Sequence, residues 1–197
     1  MIRLAPVPAL LAALTLAACS DPKDIKVKQN PQPKMRYEIT LTVDHAPGQI
    51  ESVTSYTQYS VTDKRCAPAQ AISGAPIYPP DQNVPFAVTP NADGTWTGAV
   101  YLDQLQDEDY YGKGICRWSL QLVGIQFKIG GATFGTFIPV KEIIAQQPWI
   151  TYVPNTPDST GYSSGIPATG NPRPEWFAER TPKQFFTTTL AAREDFQ

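Results

Sequence analysis

From Tyr37 to Val43 apolar and polar residues alternate one for one: Tyr37, Ile39, Leu41 and Val43 against Glu38, Thr40 and Thr42. A period of two marks a strand with one face in a core. The period returns at Cys116, Trp118, Leu120 and Leu122, which predicts one shared face, with Arg117, Ser119 and Gln121 on the other. Ile50 to Val61 is rich in Thr, Ser, Tyr and Val, carries no helix-period stripe, and reads as a further strand. Val84–Thr89 reads as a short strand that must lie at an edge, because Pro85 has no N–H for a ladder. Thr95–Leu102 follows, with Trp96, Gly98, Val100 and Leu102 on one face. The Cys116 strand runs to Ile129, Gly130-Gly131 gives a tight hairpin, and Ala132–Ile138 returns. Trp149–Val153 is a last strand after a short turn at 141–145.

About seven or eight short strands, with turns at Asp44–Gly48 and Pro90–Gly94 and no amphipathic crossover helix, predict an all-β fold. The expected architecture is a single antiparallel β-sandwich over residues 35–153, immunoglobulin-like in its layering, with one disulfide. Trp118 stands two places after Cys116, which is not the immunoglobulin spacing, so only the architecture is inferred.

The two ends of the chain read differently. Residues 1–18 are a targeting segment: Arg3 supplies a positive start, and Leu4–Ala18 is an uncharged apolar run too short to span a bilayer as a helix. Residues 19–34 are polar, with Pro22, Pro31 and Pro33, and read as a flexible tether that buries no face. Residues 154–197 open as a linker rich in Pro, Gly and Ser. Beyond it, Thr181-Pro182 resembles an N-cap with proline at the first helical position, predicting a short helical tail through Phe185, Phe186, Leu190 and Arg193.

Leu16-Ala17-Ala18-Cys19, closing the apolar run, resembles the lipobox of bacterial lipoproteins. The resemblance implies that Cys19 is diacylated and becomes the mature N-terminus. Ser20 after it implies the periplasmic face of the outer membrane of a Gram-negative bacterium, held through the lipid anchor. With Cys19 acylated, Cys66 and Cys116 remain of three cysteines, an even number in an oxidising compartment, and they form the natural pair. The formal charge of −2 becomes one unit more negative when Arg3 leaves, so no nucleic-acid partner is expected.

Little in the chain points to catalysis. Gly161-Tyr162-Ser163-Ser164-Gly165 matches the nucleophile elbow, but prolines flank it where a strand and helix should stand. The single histidine, His45, lies far upstream, in a loop. Asp107-x-Asp109 with Gly112 is a fragment of a calcium loop, but Tyr111 and Trp118 stand where acidic ligands are needed. No enzyme, metal, cofactor or small-molecule substrate is therefore expected.

The only clustered charges are Asp103, Asp107, Glu108 and Asp109, beside Tyr110 and Tyr111 at the mouth of the Cys116 strand. Two readings stand: solvated charges that cap the strand, or a recognition surface whose tyrosines give rigid contact area. The chain also resembles the small β-rich lipoproteins that act as immunity proteins against secreted antibacterial effectors. The residues that carry the resemblance are the lipobox, Tyr37–Val43, and the segment from Tyr101 through Asp109-Tyr110-Tyr111-Gly112 to Cys116-Arg117-Trp118-Ser119. It implies a protein partner, an effector that attacks peptidoglycan or phospholipid. The alternative is a structural or assembly lipoprotein of the envelope.

Overall fold

The alternating stretches form strands, and the strands assort into two sheets. The computed structural model describes residues 26–63, 66, 81–155, 168–173 and 185–196. Its elements are β1 (Arg36–Asp44), β2 (Ser52–Val61), β3 (Asp81–Pro85), β4 (Val88–Pro90), β5 (Trp96–Tyr101), β6 (Trp118–Ile129), β7 (Ala132–Pro139), α1 (Val140–Ala145), β8 (Trp149–Pro154), β9 (Ala168–Thr169) and β10 (Phe185–Glu194). One five-stranded sheet has the order β4-β5-β1-β10-β8, the other β3-β2-β6-β7-β9. Every pairing is antiparallel except the short one between β7 and β9.

The inner faces supply one core. Ile39 and Leu41 of β1, Leu190 of β10, Val123 and Ile125 of β6, and Ile138 of β7 are buried completely. Phe186 of the first sheet stands edge-on to Phe134 and Phe127 of the second, with ring centroids 5.3 and 6.1 Å apart. Beside them Thr136 of β7, Thr151 of β8 and Thr188 of β10 join their hydroxyls at 2.6–2.9 Å, a closed polar triangle inside the sandwich.

Four expectations are corrected. The helical tail is a strand: residues 185–194 pair with β1 on one side and β8 on the other. Phe186, Thr188, Leu190 and Ala192 alternate as its buried face, and that period of two outweighs the N-cap signal at Thr181-Pro182, which lies outside the described residues. The sandwich therefore extends past residue 153 to take in β10. Leu122 also leaves the face assigned to it. Between Gln58/Tyr59 the pairing of β2 with β6 slips by one residue, so Gln121 is extra. Beyond this bulge the buried positions become Val123, Ile125, Phe127 and Ile129, and Leu122 turns to the outer face. Finally, Val84–Thr89 is two strands: β3 ends at Pro85 in the second sheet and β4 starts at Val88 in the first. The short turn at 141–145 is the helix α1.

Tyr59, buried on β2, donates its hydroxyl to the carbonyl of Tyr101. Burial pushes its phenol up to about 12, the Thr57 hydroxyl works against this, and the charge of Asp103 adds to it. The folded state thus holds the neutral phenol more firmly than the unfolded chain, whose tyrosines titrate near ~10. The Tyr59 contribution to stability is complete below pH ~10 and is lost as pH rises from there toward the folded value. In chemical denaturation at stepped pH, the alkaline loss of stability becomes shallower in Tyr59→Phe.

The position of β10 gives a second expectation. Leu190→Ala, which empties a fully buried site, lowers the unfolding free energy by about 2–5 kcal/mol. Ending the chain before Phe185 abolishes the cooperative thermal transition, because β1 and β8 lose the strand they share; a docked helix would only lower the midpoint.

Candidate functional site

The acidic segment after β5 is a folded loop bounded by a disulfide. Cys116 precedes β6 and is bonded to Cys66, which follows β2, with Cα atoms 5.7 Å apart. Because β2 and β6 are neighbours in one sheet, the bridge ties the ends of adjacent strands; it does not join the two layers as an immunoglobulin bridge does. Both cysteines are buried, Cys116 completely.

Upstream of the bridge the chain is held by its own N-terminal segment. Residues expected to be free tether, from Lys28 to Asn30, lie antiparallel to residues 104–106: Asn30 N–H donates to Gln104 O at 2.8 Å, and Gln106 N–H to Lys28 O at 2.9 Å. Such pairing uses main-chain groups alone, so a polar, proline-containing segment can make it without an apolar face. Val27 adds a contact with the core.

The candidate side chains are taken up within this frame. The Asp103 carboxylate accepts from the amides of Lys34 (2.9 Å) and Met35 (3.0 Å), and its carbonyl accepts from Asn30 Nδ2 at 2.8 Å. Asp107 accepts from the Trp118 amide at 2.9 Å, capping the first residue of β6. Glu108 pairs with Lys28 Nζ at 2.7 Å. That hydrogen bond raises the lysine's pKa, desolvation opposes it, and the charge of Glu108 reinforces it. Tyr110 donates its hydroxyl to Gln106 O at 2.7 Å and sets its ring edge-on to Trp118 at 6.3 Å. Asp109 accepts from the amides of Lys113 (2.9 Å) and Tyr111 (3.3 Å). Desolvation pushes the Asp109 carboxyl up, but amide donation from Gly114, Lys113, Tyr111 and Gly112 prevails, and its pKa lies below the usual range.

What projects is the turn that Asp109 organises. Gly112 and Gly114 take φ of +67° and +106°, a region closed to most side chains, and carry the chain out and back. Ile115, next to the bridge, is 60% exposed, and Tyr111, half-buried, packs against the core, its phenol raised by desolvation. The structure thus gathers all six candidate residues into one loop, but Asp103 and Tyr110 face inward partners while Asp107 and Asp109 stay open to solvent. Sequence reasoning missed Lys28 and Asn30, whose role depends on a long-range pairing, and Ile115, which the strand pattern passed over. Two glycines flanking Lys113, just before an isoleucine and a cysteine, were the local signal for that tip.

Other candidates stand apart. His45 sits in an exposed turn with φ of +61°. Among the described residues no group of three or more His, Cys, Asp or Glu side chains is placed to hold a metal ion. Cys19 and the Ser163 motif lie outside the described residues.

Asp103→Ala frees the amides of Lys34 and Met35 and unfastens the N-terminal segment. The expected loss is about 1–3 kcal/mol in denaturant unfolding, with faster hydrogen exchange at Asn30 and Gln106 and none at the core of β7. No protein-family model matches the chain, and no curated protein or solved structure matches it either.

Proposed function

We propose that the chain is a lipid-anchored periplasmic protein that binds and neutralises another protein, as an immunity protein against a secreted, envelope-attacking effector. One observation carries the binding part of this reading: an isoleucine, Ile115, exposed at the disulfide-locked end of a turn in which Tyr111 is half-buried. Large apolar surface on a rigid projection is what a protein interface anchors on, since little ordering entropy is lost when it docks. Asp107 and Asp109, exposed on the flank, supply negative charge that speeds encounter with a basic cleft, an effect that salt weakens. The contact surface is accordingly centred on Tyr111–Ile115, with the carboxylates as its rim and Tyr110 as its inner support.

The inhibitory and envelope parts rest on the resemblance set out above. The lipobox at Leu16–Cys19 supports diacylation of Cys19 and placement at the outer membrane. No catalytic role is proposed for any residue.

The test uses the full chain as bait in a periplasmic extract of its own organism. A specific partner is retained by the wild type, and its affinity falls by at least about 2 kcal/mol on Tyr111→Ala or Ile115→Asp, whereas Asp107→Asn mainly slows association. Retention unchanged in the folded Tyr111→Ala/Ile115→Asp double variant would place the contact elsewhere. The anchor is tested separately: mass spectrometry of the mature N-terminal peptide should find diacylglycerol on Cys19, and an unacylated cysteine would remove the localisation.

A further inference from the structure

We propose that the outer face of the second sheet carries a groove for an uncharged glycan chain. The groove is shallow and open, has a volume of about 500 Å³, and is lined by Tyr56, Gln58, Asn83, Pro85 and Gln126. It shares no residue with the tip at Tyr111–Ile115, and nothing in the sequence pattern calls for a ligand of this class.

Three adjacent strands build it. Tyr56 lies opposite Pro85 on β3 and opposite Gly124 on β6; Gln58 lies opposite Asn83; Gln126 lies opposite Thr54, one outward position from Tyr56. Gly124 is the key to the shape. A Cβ there would stand 2.4 Å from Tyr56 Cζ and 2.7 Å from its hydroxyl, so the phenol ring occupies the space over β6 that any other residue would fill. The ring thus lies across the sheet as the groove's apolar floor, with Pro85 beside it. Around it stand three primary amides, none of which makes a side-chain hydrogen bond within the described residues, and the Tyr56 hydroxyl makes none either.

The lining selects the ligand. No Lys, Arg, Asp or Glu takes part, so nothing in the groove repays the desolvation of a phosphate, carboxylate or ammonium group. Each amide presents a donor and an acceptor side by side, which matches neighbouring hydroxyls on a pyranose. The negative face of an aromatic ring attracts the weakly positive C–H groups on the flat side of a sugar. A protein side chain would gain less, since the groove has no deep apolar pocket to receive an anchor. An uncharged oligosaccharide satisfies both the ring and the amides.

The full chain, purified in detergent, is titrated with tetramers of N-acetylglucosamine and of β-1,4-glucose. Calorimetry and the side-chain amide NMR signals provide the two readouts. The proposal expects saturable binding of at least one of them at about 1 mM or tighter, shifting the amide signals of Gln58, Asn83 and Gln126. Tyr56→Ala weakens it by at least about tenfold, and so does Gln58→Ala/Gln126→Ala, whose outward side chains can be removed without touching the core. Thermal melting confirms that the double variant remains folded. No saturable binding up to roughly 10 mM would overturn the proposal, as would equal binding by wild type and double variant. Self-association that the double variant abolishes, without sugar binding, would assign the groove to a second copy and overturn it equally.

Discussion

The last strand, β10, is an interior strand of the first sheet, and the rest of the fold depends on that placement. β10 lies between β1 and β8, pairing Tyr37 with Glu194 at one end and Phe185 with Pro154 at the other. Without it, two strands would each lose a ladder, and Phe127 and Phe134 would lose the ring that meets them from the facing sheet. The threonine triangle sharpens the constraint. Thr136, Thr151 and Thr188 are buried, and each hydroxyl can donate to one neighbour and accept from the other. A buried hydroxyl without a partner costs about 1–3 kcal/mol, so the triangle is stabilising only when all three strands are in register. It specifies how β7, β8 and β10 meet, where apolar packing alone would tolerate sliding.

The same reasoning accounts for the loop at the disulfide. A connection that leaves β5 and reaches Cys116 carries many amides and carbonyls that must find partners or water. Here Asp103, Asp107 and Asp109 each accept from main-chain amides at different stations, and residues 28–30 complete the pairing from outside. The acidic composition that suggests steering of a partner is therefore also the means by which the loop holds its shape. These two readings are compatible, because a carboxylate that accepts amides on one side keeps its charge and presents it to solvent. The disulfide and these hydrogen bonds fix the base from which residues 112–115 extend.

The sequence disclosed the fold well where one period ran unbroken. β1 and the hairpin of β6 with β7 follow directly from alternation and from Gly130-Gly131. It misled where a local signal competed with a distant one. Thr181-Pro182 invites a helix, but Phe186, Thr188, Leu190 and Ala192 gain burial only as a strand, and burial between two existing strands exceeds a helix-starting preference. Leu122 shows the converse: apolar residues at 116–122 and at 123–129 are out of phase by one, and that slip is itself the imprint of the bulge. The site was half legible. Acidic residues and tyrosines in one stretch announce a loop with work for its side chains, but which of them turn inward is decided by Lys28, Asn30 and Trp118, residues that sequence distance hides.

Both surface features of interest draw on one strand, β6. The tip leads directly into β6 through Cys116, and Gln126 and Gly124 lie further along the same strand, beyond the bulge at Gln121. A strand that kept one phase throughout would turn Gln126 and Gly124 into the core and push Val123 and Ile125 out. By inserting a single residue, the bulge lets the first part of β6 bury Trp118 and Leu120 while the second part sets Gln126 and the bare backbone of Gly124 beside Tyr56. The disulfide then fixes the other end of the β2–β6 pair, so a shift there that would spoil the groove would also move the base of the tip. Deleting Gln121 therefore ought to disturb both surfaces together, whereas a change confined to Asp109 ought to reach only the tip.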